Sequence, residues 1–289
     1  MLQTNGEKVF NVVNYLLLIV VALLALAPFL HVIAQSLSSH RAIVSGEVGL
    51  WPIEWNLLAY NEVVKDNAFW RSFYVSVLRT VLGTFVNVAL ASMLAYPLSR
   101  TYLKGRGPIM FIIVFSMMFN GGIIPTYLVV KSLNLINTFW AFIIPMAVGA
   151  FAVIVLKNFF QAVPEELEDS ARMDGCSNVG ILFRIFIPLS MPAIATMALF
   201  HAVAHWNAFF DAVLYIQNRN LFPLQVFLRE LIQFNSTNAS LMDNLERQMI
   251  ANESLKAATL IAATVPILLV YPALQKYFIK GIMLGSVKG

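Results

Sequence analysis

The chain has 289 residues, of which 59% are hydrophobic and only 12% charged, and its mean hydropathy is +0.75. Soluble globular domains carry about a quarter of their residues charged, so that class is excluded. The formal charge of +4 is scattered, with no basic patch interleaved with aromatics, which excludes nucleic acid as a partner.

In chain order, the charges fence off long apolar runs. None falls between Lys8 and Arg41, Arg79 and Arg100, Gly107 and Lys131, Lys131 and Lys157, Arg184 and Asp211, or Lys256 and Lys276. Each gap approaches or exceeds the ~20 residues that cross a hydrocarbon core as a helix. The pattern predicts an all-α membrane protein of six transmembrane helices, near 12–36, 71–98, 108–130, 136–160, 183–211 and 257–278, in one domain over 1–289. Ala25-Leu26-Ala27 mimics a signal-peptidase site, but Pro28 follows directly and the apolar run continues to Ile33, so a retained first helix is expected. Prolines such as Pro97, Pro125, Pro145 and Pro266 are tolerable where neighbouring groups satisfy the freed carbonyls.

The short loop 99–107 holds Arg100, Lys104 and Arg106, and the next loop, 133–138, holds no base. Positive charge stays inside, so the first of these loops, both termini and the segment 164–192 are expected in the cytoplasm. The longer segments 38–70 and 212–256 then lie outside, and Arg79 is expected to snorkel towards the outer surface.

The stretch 164–192 is a polar, acidic island between apolar runs. Pro164 suits a first helical position, and Glu165, Glu166 and Glu168 follow in the first turn, where the helix dipole favours negative charge. Glu168 and Arg172 stand four apart in the favourable order, and Leu167, Ala171 and Asp174 share a face. Gly175 supplies the left-handed stop. A helix of about ten residues is marginal alone in water, so this one needs a surface to pack on.

These residues resemble the import permeases of the ABC transporter class, which bear a cytoplasmic loop of the form E-A-A, three residues, G, nine residues, I-x-L-P. Asp169-Ser170-Ala171 take the first three positions and Gly175 the glycine, and Ile185-Phe186-Ile187-Pro188 close the pattern. Asp replaces the first Glu, Ser the first Ala, and Ile the Leu. Leu167-Glu168, Asp174-Gly175, Pro188-Leu189, the stretch 275–281 and the ending Val287-Lys288-Gly289 resemble the carbohydrate-uptake branch, of the maltose-permease type. Residues 119–125 and His205-Trp206-Asn207 resemble its subgroup for uronate-containing oligosaccharides.

The resemblance implies a type I ABC importer-like permease fold in the bacterial cytoplasmic (inner) membrane. It implies a second homologous permease, two ATPase subunits, an extracytoplasmic solute-binding protein facing 38–70 and 217–256, and a carbohydrate substrate. The loop 164–192 would dock in a groove of the ATPase, with Glu168, Asp169, Ala171, Asp174 and Gly175 as coupling residues. Glu168 and Asp169 would meet basic residues there through charge-assisted pairs, and Leu167, Ala171 and Met173 would fill apolar pockets. Asp174 would couple or brace the loop internally. Each carboxylate has a plainer reading as a solvated loop charge.

The residues themselves offer no catalytic centre. There is no G-x-x-x-x-G-K-[ST] phosphate loop, no H-E-x-x-H, no cysteine pair and no G-x-S-x-G turn. The chain is therefore expected to be non-catalytic, with no cofactor or metal of its own, ATP and Mg belonging to the partner ATPase. His201 and His205 share a helix face without a carboxylate beside them, and the single Cys176 excludes an internal disulfide. Polar groups inside spans tend to face a cavity or a partner helix. Asn120, Tyr127, His205, Trp206 and Asn207 are the candidates to line a sugar pathway, with Asn87, Tyr96 and His201 beside them, because aromatic faces and amides suit a sugar's mixed surface. Interhelical hydrogen bonding and packing is the alternative for each. A stand-alone proton-coupled sugar transporter, using His201, His205 or Asp211 as a relay without ATP, is one rival class, and a membrane-embedded enzyme, which would need a nucleophile, metal or acid–base pair at one depth, is the other.

Overall fold

In a computed structural model of the chain, residues 5–119, 121–237 and 253–269 are described, and all their regular structure is helical. Helices α1 (Asn5–Ser36) and α4 (Asn67–Ser99) are each long and apolar enough to cross a membrane. Between them lie the short α2 (His40–Val44) and α3 (Leu58–Lys65). Next come α5 (Arg106–Met118), α6 (Ile123–Ser132), two 3₁₀ turns over 139–146 and α7 (Ala150–Gln161). The loop helices are α8 (Glu165–Met173), α9 (Asn178–Ile181) and α10 (Ile187–Leu189), with a π segment at Leu182–Phe186. The rest are α11 (Met191–Asn207), α12 (Phe210–Tyr215), a 3₁₀ turn at Arg219–Leu221, α13 (Leu224–Thr237) and α14 over 253–269.

Three of the expected straight spans are broken. The run 108–130 divides between α5 and α6, where Gly122 takes φ +85°, ψ 177°, a conformation open in practice to glycine alone. The run 136–160 begins as 3₁₀ turns around Pro145, whose ring denies the helix a donor, and bends by 55° into α7. The run 183–211 starts inside the loop structure, and 178–189 meets α11 at an angle of 87° at Ser190, between Pro188 and Pro192. Counting each broken pair as one crossing gives up to five spans among the described residues. Of the sixth expected span, 257–269 is helical and 270–278 lies outside the described residues, as do 275–289.

The chain divides into two compact units, Met1–Phe69 with Leu228–Val265, and Trp70–Phe227 with Pro266–Gly289. In the first, Ala34, Ala42 and Val48, with Ile43 and Ile53 against them, form a small core beside the end of α1. The most apolar window of α1 buries none of its residues, so its faces remain open to a surrounding apolar phase.

Among its described residues the second unit has two cores. One packs Ala91 and Ala95 of α4 against Ala152, Val153, Leu156 and Phe160 of α7 and against Ile181 and Phe186. Small residues at such contacts let helix backbones approach closely, the main route to packing in lipid. The other gathers Val75, Val130, Phe142, Ile143, Tyr215 and Val226.

Candidate functional site

Helix α8 is short, acidic in its first turn, and bounded as local chemistry dictates. Pro164 stands one position before the helix, at φ −54° and ψ 137°, not inside it as expected. At the other end Gly175 takes φ +77°, its amide donates to the Arg172 carbonyl at 3.0 Å, and the Cys176 amide donates to the Ala171 carbonyl at 2.9 Å. That pair of bonds is a Schellman cap, and it satisfies carbonyls the helix would leave bare. No neighbour stands within 4 Å of a side chain added at Gly175, so the glycine serves its backbone angle alone.

The side chains of α8 divide sharply. Asp169, Asp174, Leu167 and Met173 are exposed, Met173 at 88%. Glu168 is 3% exposed. Its Oε1 accepts from Arg172 Nη2 at 2.7 Å, Tyr102 Oη at 2.9 Å and Tyr96 Oη at 3.1 Å. Its Oε2 lies 3.2 Å from Arg100 Nε, an ion pair without the alignment of a hydrogen bond. Arg100 also donates from Nη2 to the Phe160 carbonyl at 2.7 Å and lies with its guanidinium 4.5 Å above the Phe186 ring.

This corrects the expectation that Glu168 offers its charge to a partner's bases. The acid is consumed inside the chain, because the buried Arg100 guanidinium needs a counter-ion and the exposed Arg172 closes over the same carboxylate. Burial is the largest single influence on its carboxyl and opposes ionisation. The hydrogen bonds from Arg172 and Tyr102, the charge of Arg100 and the bond from Tyr96 together outweigh it, and the carboxyl is held below its ordinary value. The Glu168–Arg172 pairing was legible at four-residue spacing, whereas Tyr96, Arg100 and Tyr102 carried no local signal. Tyr96, grouped above with the polar groups inside spans, belongs to this cluster.

A second buried polar group sits at α4, α11 and α12. Arg79, 2% exposed, forms an ion pair with Asp211, donates to the Ala208 carbonyl at 3.1 Å and lies 4.6 Å above the Phe142 ring. It does not snorkel, because Asp211 gives it a counter-ion within the fold. His205 Nε2 meets Asn87 Oδ1 at 2.7 Å, and Asn87 Nδ2 donates to the Met146 and Ala147 carbonyls at 2.6 and 2.9 Å. A Cβ at Gly83 would stand 2.4 Å from the His205 ring, so the glycine is what lets α4 approach. The imidazole of His201 lies against Gly149 in the same way, at 3.3 Å from where a Cβ would be.

Each described pathway candidate has its own neighbours. Trp206 is buried edge-on to Phe73, Tyr127 stacks on Tyr215 at 6.2 Å, and the Asn207 amide donates to its own helix at Val203. Asn120 lies outside the described residues.

Comparison with known proteins extends these observations over the whole chain. The pattern of the family described as "Binding-protein-dependent transport system inner membrane component" matches residues 75–283. The chain is 45% identical over 284 residues to the polygalacturonan/rhamnogalacturonan transport system permease protein YtcP of Bacillus subtilis (strain 168), covering 98% of this chain and 99% of that one. It is 45% identical over 287 residues to protein LplC of the same organism, covering 99% and 97%. Among solved structures, a bacterial ABC transporter involved in the import of the acidic polysaccharide alginate matches at a TM-score of 0.88 and 32% identity, over 96% of this chain and 99% of that one. With the loop spacing at Asp169, Gly175 and Pro188, these likenesses make the chain a member of the binding-protein-dependent inner-membrane transport components, the permeases of ABC importers.

Proposed function

We propose that this chain is one of two permease subunits of an ATP-driven oligosaccharide importer in the bacterial inner membrane, with an acidic oligosaccharide as its substrate. In this reading 1–289 is a single permease domain that crosses the membrane six times with both termini in the cytoplasm. A second permease completes the pathway, two separate ATPase subunits hydrolyse ATP with Mg, and an extracytoplasmic binding protein delivers the sugar. The relatives named for polygalacturonan and alginate support the substrate class.

The observation that carries coupling is the division of α8. Its outer face offers Asp169, Leu167 and Met173 to a partner, while Glu168 ties the helix inward to Arg100, at the end of α4. A push on the outer face then moves α4 with it, because the buried ion pair and its hydrogen bonds resist sliding. Asp169 takes the groove contact, Ala171 and Gly175 shape the cap, and Asp174, exposed at the helix end, remains a partner-facing charge. Asn120, Tyr127, His205, Trp206 and Asn207 are the proposed pathway group.

The test is purification of the chain from its own membrane in mild detergent, followed by reconstitution. Recovery of a phosphate-loop ATPase and a second permease, with uptake of labelled oligogalacturonate that requires ATP and the binding protein, is the expected result. Recovery of this chain alone, with proton-driven uptake in the absence of ATP, would overturn it in favour of a secondary transporter.

A further inference from the structure

The segment 50–58 follows a membrane helix but is not a polar loop. Leu50, Trp51, Trp55, Leu57 and Leu58 are all exposed, the two tryptophans at 81% and 75%. Glu54 is the one charge between Glu47 and Glu62, and Ser39 Oγ donates to its carboxylate.

Hydrogen bonds fix where this apolar surface stands. The Ile53 amide donates to Ser38 Oγ at 3.0 Å, the Ser39 amide to the Ile53 carbonyl at 3.1 Å, and the Asn56 amide to the Leu37 carbonyl at 2.8 Å. One bond reaches further back: His31 Nδ1 lies 2.7 Å from the Gly49 carbonyl, while its Nε2 meets Gln35 Nε2 at 3.0 Å. His31 precedes the end of α1 by five residues, so the chain entering Trp51 is strapped about 7.5 Å back along the helix from its end. With the buried Ala34, Ala42 and Val48 beneath it, the segment is folded against the last turns of α1.

Those turns mark a boundary. The apolar face of α1 runs to Ile33, and polar side chains begin at His31 and continue through Gln35, Ser36 and Ser38. At about 48 Å, α1 matches a bilayer of about 40–45 Å that includes its headgroups, so its last turns lie at headgroup level. Indole rings, apolar in body with one N–H donor, favour that zone.

We propose that segment 50–58 is a lipid anchor, with Trp51 and Trp55 seated at the headgroup–acyl boundary of the outer leaflet. It therefore does not form part of the surface that receives a soluble binding protein. A surface that meets a soluble protein must stand clear of the helix end, whereas here the chain entering Trp51 is strapped back along α1 at His31 and the chain around Trp55 is tied to Leu37, Ser38 and Ser39 at its very end. The anchor holds the outer end of α1 at fixed depth while other parts of the permease move.

The experiment compares the purified transporter assembly with its Trp51→Phe, Trp55→Phe double variant in phospholipid nanodiscs. The difference spectrum isolates these two indoles. The expected signal is blue-shifted relative to free indole, is lost when the lipids are brominated near the glycerol end of the chain, and resists aqueous iodide. It is unchanged by the solute-binding protein. Quenching by iodide with no response to brominated lipid would overturn the proposal, as would insensitivity to both, which places the rings in a subunit interface. A shift appearing only when binding protein is added would overturn it in favour of a docking surface. Should the double variant fail to assemble, Trp51→Phe or Trp55→Phe alone gives the same readout one indole at a time.

Discussion

The carboxylate of Glu168, in the middle of α8, lies 3.2 Å from Nε of Arg100, the residue that follows the last residue of α4, and both side chains are almost wholly buried. The pair joins the loop that bears the permease signature to one of the two unbroken membrane-length helices among the described residues. It also separates two acidic neighbours that look alike in sequence, Glu168 turned inward and Asp169 outward.

Different failures are therefore expected at these two positions. Glu168→Ala leaves Arg100 buried without its counter-ion, a loss of about 3–5 kcal/mol, and should lower the thermal midpoint and the sugar moved per ATP hydrolysed. Asp169→Lys is a surface change and should shift stability by no more than about 0.5 kcal/mol while weakening retention of the ATPase. Thermal unfolding and co-purification measure both. Unchanged stability in Glu168→Ala would show that the clamp is not holding the loop.

Acid should release the clamp, but only late. Because the folded carboxyl of Glu168 is held below its ordinary value of 4.5, its contribution is fully present above that value and is lost as the pH falls through the lower folded one. Hydrogen exchange of the α8 amides, corrected for intrinsic rates, should stay constant from neutral pH to about 5 and rise below 4.5. Glu168→Gln should remove the step. A release centred near neutrality would assign it to another group.

At Gly175 the positive φ, with open space around it, sets the cost of substitution by backbone angle alone. Gly175→Ala should cost about 1–2 kcal/mol and Gly175→Asn less, since asparagine tolerates the left-handed region. Valine should be the most damaging of the three to coupled uptake. Equal uptake with valine and asparagine would sink this account of the turn.

For Arg79 and Asp211 the prediction turns on leaving a charge alone. Asp211→Asn strands a guanidinium that is 2% exposed, and because Asp211 keeps 26% exposure the loss should fall near the lower end of the usual range, about 3 kcal/mol. The double replacement Arg79→Met, Asp211→Leu removes both charges and should recover most of that loss. Melting of the detergent-solubilised protein reads this out. A double variant weaker than either single one would mean that the pair's geometry, not its neutrality, is what the fold requires.

Much of this protein is set by neighbours in the chain. Charge spacing marked the apolar runs, and the loop pattern from Asp169 to Pro188 gave the family. The four-residue step from Glu168 to Arg172 and the glycine at 175 gave a helix and its end, because dipoles, caps and i,i+4 pairs act within a few residues. The breaks were only partly legible: Pro145, Pro188 and Gly122 are visible, but a proline in a span can be accommodated or can bend it, and packing decides which.

Tertiary structure alone decided the partners. Tyr102 and Tyr96 reach Glu168 across 66 and 72 residues, His205 meets Asn87 across 118, and Arg79 finds Asp211 across 132. Nothing in local sequence could turn Glu168 inward and Asp169 outward, or keep Arg79 inside. The physical reason is common to all of them: a buried polar or charged group is retained only where a hydrogen-bonding or oppositely charged partner meets it, and these distant partners meet only once the helices have packed.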